Sequence, residues 1–186
     1  MTDKLKKLIF ITGRPGIGKT TVLLRVVGVL KIKGYRIGGM VSREVRERGS
    51  RVGFELVDVY TKRKGWLAHV NRSIGPKVGK YRVNLEDLEK VGVKAILHAV
   101  KNVDVVVVDE IGPMELHSSP FKKAVIQAFE SGKPLLGTIH RYARDPLIHT
   151  IRTREDTEIL EVTYENREKL HKTVIDKILK CLQMLS

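Results

Sequence analysis

Residues 8–27, LIFITGRPGIGKTTVLLRVV, confine the chain to few folds. A short apolar, β-branched run enters a turn with glycine at 13, 16 and 18, then Lys19 and Thr20, then apolar residues at helical spacing. Gly13-Arg14-Pro15-Gly16-Ile17-Gly18-Lys19-Thr20 matches G-x-x-x-x-G-K-[ST] at every fixed position. Glycines there take backbone angles forbidden to other residues, so consecutive N–H groups can turn inward around a phosphate. The helix opening at Lys19 adds the positive end of its dipole. Pro15 removes one donor and stiffens the turn. Lys19 is expected to reach the β- and γ-phosphates of a bound nucleotide, and the Thr20 hydroxyl to meet Mg²⁺. An apolar strand before the loop and a helix after it are the context such a loop requires.

A loop of this kind needs an acidic partner at the end of a neighbouring strand. Val105-Val106-Val107-Val108-Asp109-Glu110 supplies one. Its apolar run lacks alternation, as in a parallel strand covered on both faces. Asp109 then stands at the carboxyl edge of the sheet, where ligands of open α/β folds bind, and is expected to hold the metal. Glu110 beside it is the candidate base for an attacking water; the competing readings are an ordinary loop acid or a cap for a helix opening at Pro113.

The rest of the chain alternates strands with helices, the pattern of a mainly parallel α/β sheet with helices on both faces. Strands are expected at 7–12, 36–42, 103–108, 134–140 and 158–163, and helices at 19–33, 85–100, 120–130 and 166–185. Gly34 reads as the residue just beyond the first helix. From Val45 to Val70 the pattern is a small antiparallel β insert, with Val52, Phe54 and Leu56 on one face and Trp66, Ala68 and Val70 together. Phe54 and Trp66 are assigned to the core of that insert rather than to a base-stacking surface, and 71–80 to a basic Gly/Pro loop. Residues 1–186 are read as a single domain.

A hydrophobic fraction of 42% and a charged fraction of 30% fit a folded soluble protein. No apolar run approaches the roughly 18 residues of a membrane span, and the N-terminal run is too short for a signal peptide. One cysteine, Cys181, excludes an internal disulfide and a Cys-based zinc site. A cytoplasmic monomer or weak oligomer is expected. The net charge of +14 admits a nucleic-acid partner. A phosphate-binding protein with a Lys/Glu/Arg-rich surface of the heat-adapted kind accounts for it without one.

Other residues invite function less sharply. Thr138 and His140 end a strand, as groups that sense the γ-phosphate or polarise the water, or as satisfied polar groups. Arg141, Arg144, Arg152 and Arg154 are candidates for an arginine finger in cis, or for a solvated basic loop or a set of sheet-edge ion pairs. Tyr164-Glu165-Asn166-Arg167 follows the last strand where a base can be gripped, although Asn166 also suits a helix cap.

GRPGIGKTT, VVVDEIGPMEL and LEVTYENR together resemble the small nucleoside-triphosphatase family of thermophiles, whose animal members are called cancer-related nucleoside-triphosphatase. The likeness spans essentially the whole chain. It implies a RecA-like P-loop fold and Mg²⁺-dependent hydrolysis of ATP, GTP, CTP and UTP to diphosphate and phosphate. By position it assigns Gly13–Thr20 to the nucleotide loop, and Asp109 and Glu110 to the second nucleotide and Mg²⁺ motif. Two other functions fit the same motifs: a P-loop nucleoside or nucleotide kinase, and a nucleic-acid-associated ATPase.

Overall fold

Strand β1 (Leu8–Thr12) is buried on both faces, and this sets the layering of the molecule. In the computed structural model, which describes residues 5–185, Leu8 and Phe10 enter one hydrophobic cluster and Ile9 and Ile11 another. Successive side chains of a strand point to opposite faces, so a strand apolar throughout needs cover on both. Helices α1 (Lys19–Ile32) and α6 (Leu170–Leu185) cover one face. Helices α3 (Lys94–Asn102), α4 (Ser119–Glu130) and α5 (Pro146–Thr153) cover the other. The result is the three-layer α/β architecture that the strand–helix alternation implies.

The sheet has nine strands. Beyond β1 these are β2 (Ile37–Glu47), β3 (Ser50–Asp58), β4 (Lys64–His69), β5 (Lys77–Val78), β6 (Tyr81–Val83), β7 (Val105–Ile111), β8 (Leu135–Ile139) and β9 (Thr157–Glu161). Their order is β5-β6-β4-β3-β2-β7-β8-β1-β9. The five strands from β2 to β9 in this order are parallel. The four before β2 are antiparallel and extend the same sheet.

Strand β2 joins the two regions. Ile37–Val41 pair in parallel with β7, and Met40–Glu47 pair with β3. It therefore runs five residues past the expected end at Ser42, and the antiparallel part begins inside it. The stretch 71–80, expected as loop, contains β5. A register shift between Phe54 and Glu55 changes the faces of β3 and β4. Trp66, paired with Glu55, is 38% exposed rather than in the core, while Leu67 and Ala68 are buried. Its ring lies against Gly53, where a Cβ would sit 3.0 Å from it.

Several local features follow from sequence chemistry. Helix α1 ends with Gly34 at φ +90°, its N–H donating to the Lys31 carbonyl and that of Tyr35 to Leu30, the paired bonds of a glycine-terminated helix. The expected helix 85–100 is a composite of α2 (Leu85–Asp87), a π-helical stretch at Leu88–Val93, and α3. Helix α5 falls where no helix was expected. Asp145 caps it by accepting from the Leu147 N–H, and Pro146 occupies its first turn. Asn166 does not cap α6, which begins at Leu170. Its Oδ1 accepts from Thr163 N–H and its Nδ2 donates to the Glu161 carbonyl, fixing the preceding turn.

Candidate active site

The turn between β1 and α1 stands at the carboxyl edge of the sheet. Gly13, Gly16 and Gly18 have φ of +150°, +74° and +111°, which side chains with a Cβ rarely adopt. At Gly13 there is also no room, since a Cβ would lie 2.9 Å from the Val162 carbonyl oxygen. Ile17 is buried and anchors the loop in the α1–α6 layer. Gly18 precedes α1 and no side chain caps the helix, so the first-turn N–H groups face the space above the loop. Such a helix start is a ready anion site.

Two residues of that first turn meet strand β7. The Thr20 hydroxyl donates to Asp109 Oδ2 at 2.9 Å, and Lys19 Nζ is 3.8 Å from Glu110 Oε2. The Thr138 hydroxyl on β8 donates to the other Asp109 oxygen at 2.5 Å. Strand β7 extends through both acids to Ile111 rather than stopping at Val108, and its register with β8 shifts between Val108 and Ile111.

Asp109 has no exposed surface, and burial pushes its carboxyl up to about 6 even though Thr138 and Thr20 favour the charged form. Glu110 is also raised by burial, with the Lys19 ammonium opposing the shift. A third acid, Glu115, was not singled out in the sequence. It is buried on the short 3₁₀ turn Glu115–His117, and burial followed by repulsion from Glu110 pushes it up to about 8. A Cβ at Gly112 would sit 3.2 Å from a Glu110 oxygen and 3.4 Å from a Glu115 oxygen, so glycine there leaves space between the carboxylates. The sequence signal for Glu115 was an acid between Met114 and Leu116 in an otherwise apolar stretch.

The remaining candidates separate in space. His140 stands at the same edge; burial and then Lys19 lower its pKa, and its Nδ1 accepts from the Tyr142 N–H at 3.3 Å. Arg154 is bound at the opposite edge, where it pairs with Asp156 and Glu130 and covers the Phe129 ring. Arg141 pairs with Glu161, and Arg152 donates to the Arg141 carbonyl. Among the described residues nothing engages the Arg144 guanidinium. Tyr164 is 69% exposed, with the Arg167 guanidinium 5.4 Å from its ring centre.

A cavity of about 670 Å³ opens at the loop, within the usual range for small-molecule sites. Its lining includes Gly16, Lys19 and Thr20 of the loop, Glu110, Glu115 and His140, and, from the strands on the far side of β7 from the loop, Arg43, Phe54 and Tyr81. Among the described residues no three His, Cys, Asp or Glu side chains are grouped to hold a metal. No described helix is long and apolar enough to cross a membrane.

Comparison with known proteins gives a consistent result. A family model described as NTPase matches residues 8–175. The nucleoside-triphosphatase THEP1 of Thermofilum pendens is 51% identical over 165 residues, covering 88% of this chain and 91% of the relative. That of Methanocaldococcus jannaschii is 42% identical, covering 94% and 99%. The crystal structure of THEP1 from Aquifex aeolicus aligns with a TM-score of 0.80 at 28% identity, over 92% of this chain and 98% of that one. The solution structure of a human cancer-related nucleoside triphosphatase aligns with 0.79 at 35% identity, over 94% and 98%.

Proposed function

The chain belongs to the NTPase family, and on that premise we propose that it hydrolyses nucleoside triphosphates to diphosphate and phosphate, with Mg²⁺ and with broad tolerance of the base. The observation that carries the reading is the meeting of Lys19 and Thr20, from the first turn of α1, with Glu110 and Asp109 on β7. A helix start that attracts anions thus stands directly against a pair of buried carboxylates.

In this reading the N–H groups of Gly13–Thr20 hold the phosphate chain, and Lys19 neutralises charge on its terminal groups. The ammonium now beside Glu110 turns to the phosphate, leaving that carboxylate free. Glu110 orients a water in line with the bond to be broken and takes its proton. Burial raises its basicity, which favours that task at neutral pH. The loop contributes by positioning and by fixed dipoles rather than by covalent chemistry.

The oxygen donors Thr20 and Asp109 suit Mg²⁺, which is typically held by one or two protein groups plus substrate phosphates. A fully buried carboxylate raised by its surroundings also gains from a divalent cation beside it. When bound, Mg²⁺ supplies neutralisation of the charge that grows on the β- and γ-oxygens. Base tolerance is supported by Tyr164. It lies two residues beyond Val162, whose carbonyl oxygen would be 2.9 Å from a Cβ at Gly13, and an exposed ring stacks on any base.

The test is phosphate release from ATP, GTP, CTP and UTP, with and without chelator, for the wild type and Lys19→Ala. The expected result is release from all four, abolished by chelator and by the substitution. Full activity in Lys19→Ala would contradict the site.

A further inference from the structure

The cavity of about 670 Å³ begins at the loop that would hold a triphosphate and continues past Glu110 to residues of β2, β3 and β6. The strand order gives that continuation a direction. The loop follows β1, Asp109 and Glu110 lie two strands away on β7, and the cavity continues over β2, β3, β4 and β6. Tyr164 follows β9, on the other side of β1. A triphosphate in the loop with its base toward β9 therefore directs its terminal phosphate toward Glu110. The far end of the cavity is then on the nucleophile's side.

The walls of that far end combine aromatic rings with free positive charge. Phe54 and Tyr81 meet edge to face, 5.2 Å between centres. Arg51 lies 5.7 Å from the Phe54 ring centre and is held by Glu44 at 3.2 Å. Lys80, outside the lining, stands 5.5 Å from the Tyr81 ring centre. Arg43 lines the same space, and among the described residues no carboxylate or hydrogen bond engages its guanidinium. It lies two residues beyond Val41, which pairs with Asp109, so it stands past the carboxylates, where β2 runs out beyond the parallel part of the sheet. Aromatic rings and an unpaired guanidinium lining one cavity, from opposite faces of the sheet, suit a ligand with a flat base and a phosphate.

We propose that this annex binds a nucleoside monophosphate, whose phosphate oxygen takes the γ-phosphoryl group in place of water. The inference rests on the reading that the Gly13–Thr20 loop holds a triphosphate. An oxygen of the acceptor phosphate bonds to the γ-phosphorus as the bond from that phosphorus to the β–γ bridging oxygen breaks. The electron pair leaves with the donor diphosphate and no proton moves. One triphosphate and one monophosphate become two diphosphates. Arg43 offsets the repulsion between the acceptor phosphate and Glu110.

The experiment incubates γ-labelled ATP with AMP, GMP, CMP, UMP and TMP in turn. The same monophosphates are titrated calorimetrically onto the protein carrying a non-hydrolysable ATP analogue. Label is expected in at least one diphosphate product. Arg43→Ala should cut transfer and monophosphate affinity about tenfold, the loss of one charged contact, while phosphate release from ATP alone stays within about twofold of wild type. Normal phosphate release with no labelled diphosphate and no monophosphate binding would overturn the annex and leave the hydrolase reading standing. Transfer by Arg43→Ala at the wild-type rate would overturn it equally. Loss of ATP hydrolysis in the wild type would count against the hydrolase reading, and in that case calorimetry alone decides the annex: monophosphate binding weakened by Arg43→Ala supports it, and no binding overturns it.

Discussion

Thr20 donates its hydroxyl to Asp109 at 2.9 Å and so ties the first turn of α1 to strand β7 across the carboxyl edge of the sheet. Asp109 is completely buried and receives a second hydroxyl from Thr138. A buried carboxylate with two neutral donors and no cation bonded to it is costly to keep charged, which is an arrangement suited to function rather than to stability.

Replacing Asp109 by Asn separates these two demands. Asp109→Asn keeps the shape and the acceptor for a hydroxyl while removing the charge. It should lower kcat at least about a hundredfold, as loss of one group stabilising developing charge does. It should also leave the thermal midpoint of the nucleotide-free protein at pH 8 unchanged or higher. Activity assay and thermal denaturation on the same preparation check both; a destabilised variant would mean that Asp109 is structural.

Glu115 gives a pH prediction. Its pKa of about 8 lies above the ordinary 4.5 of the unfolded chain. The folded state therefore keeps a proton that the unfolded state releases, and its stabilising effect is full below about pH 4.5 and lost as pH rises through about 8. Asp109, raised to about 6, has the same sign. Asp104 and Asp156, lowered by Arg36 and Arg154, have the opposite sign, but their stabilising effect is lost only as pH falls below about 4. Stability of the nucleotide-free protein should fall between pH 5 and pH 8, and Glu115→Gln should flatten that fall by roughly 3–5 kcal/mol. Urea denaturation at several pH values measures it. A parallel fall in both proteins would contradict the assignment.

Tyr164 is predicted to serve every base alike. Tyr164→Ala should raise KM for ATP, GTP, CTP and UTP about fivefold or more each, as expected for loss of one stacking contact, with kcat nearly unchanged. A change confined to one base would point to specific recognition instead.

What the sequence disclosed follows from how local each constraint is. The loop at Gly13–Thr20 was legible because glycine angles, a lysine and a following helix are fixed by adjacent residues. Val105–Glu110 was legible as a strand because an unbroken apolar run of valines fits a parallel strand covered on both faces. Helix α5 also had a local signal, Asp145-Pro146, which the density of arginines around it obscured. Glu115, by contrast, gains its properties only when the turn after β7 folds back to place it near Glu110. Trp66 was assigned to the core by alternation, and a register shift between Phe54 and Glu55, invisible in the pattern, put it at the surface. The annex has residues from three stretches, around Arg43, Phe54 and Tyr81, which only the extended sheet brings together.

Glu110→Gln tests the central claim most directly, because the substitution preserves size and removes only the base. Single-turnover phosphate release should fall by about 10² to 10⁴, the usual contribution of a general base. Affinity for a non-hydrolysable ATP analogue should stay within a few fold of wild type. Release at the wild-type rate would contradict the assignment of Glu110 as the group that activates water.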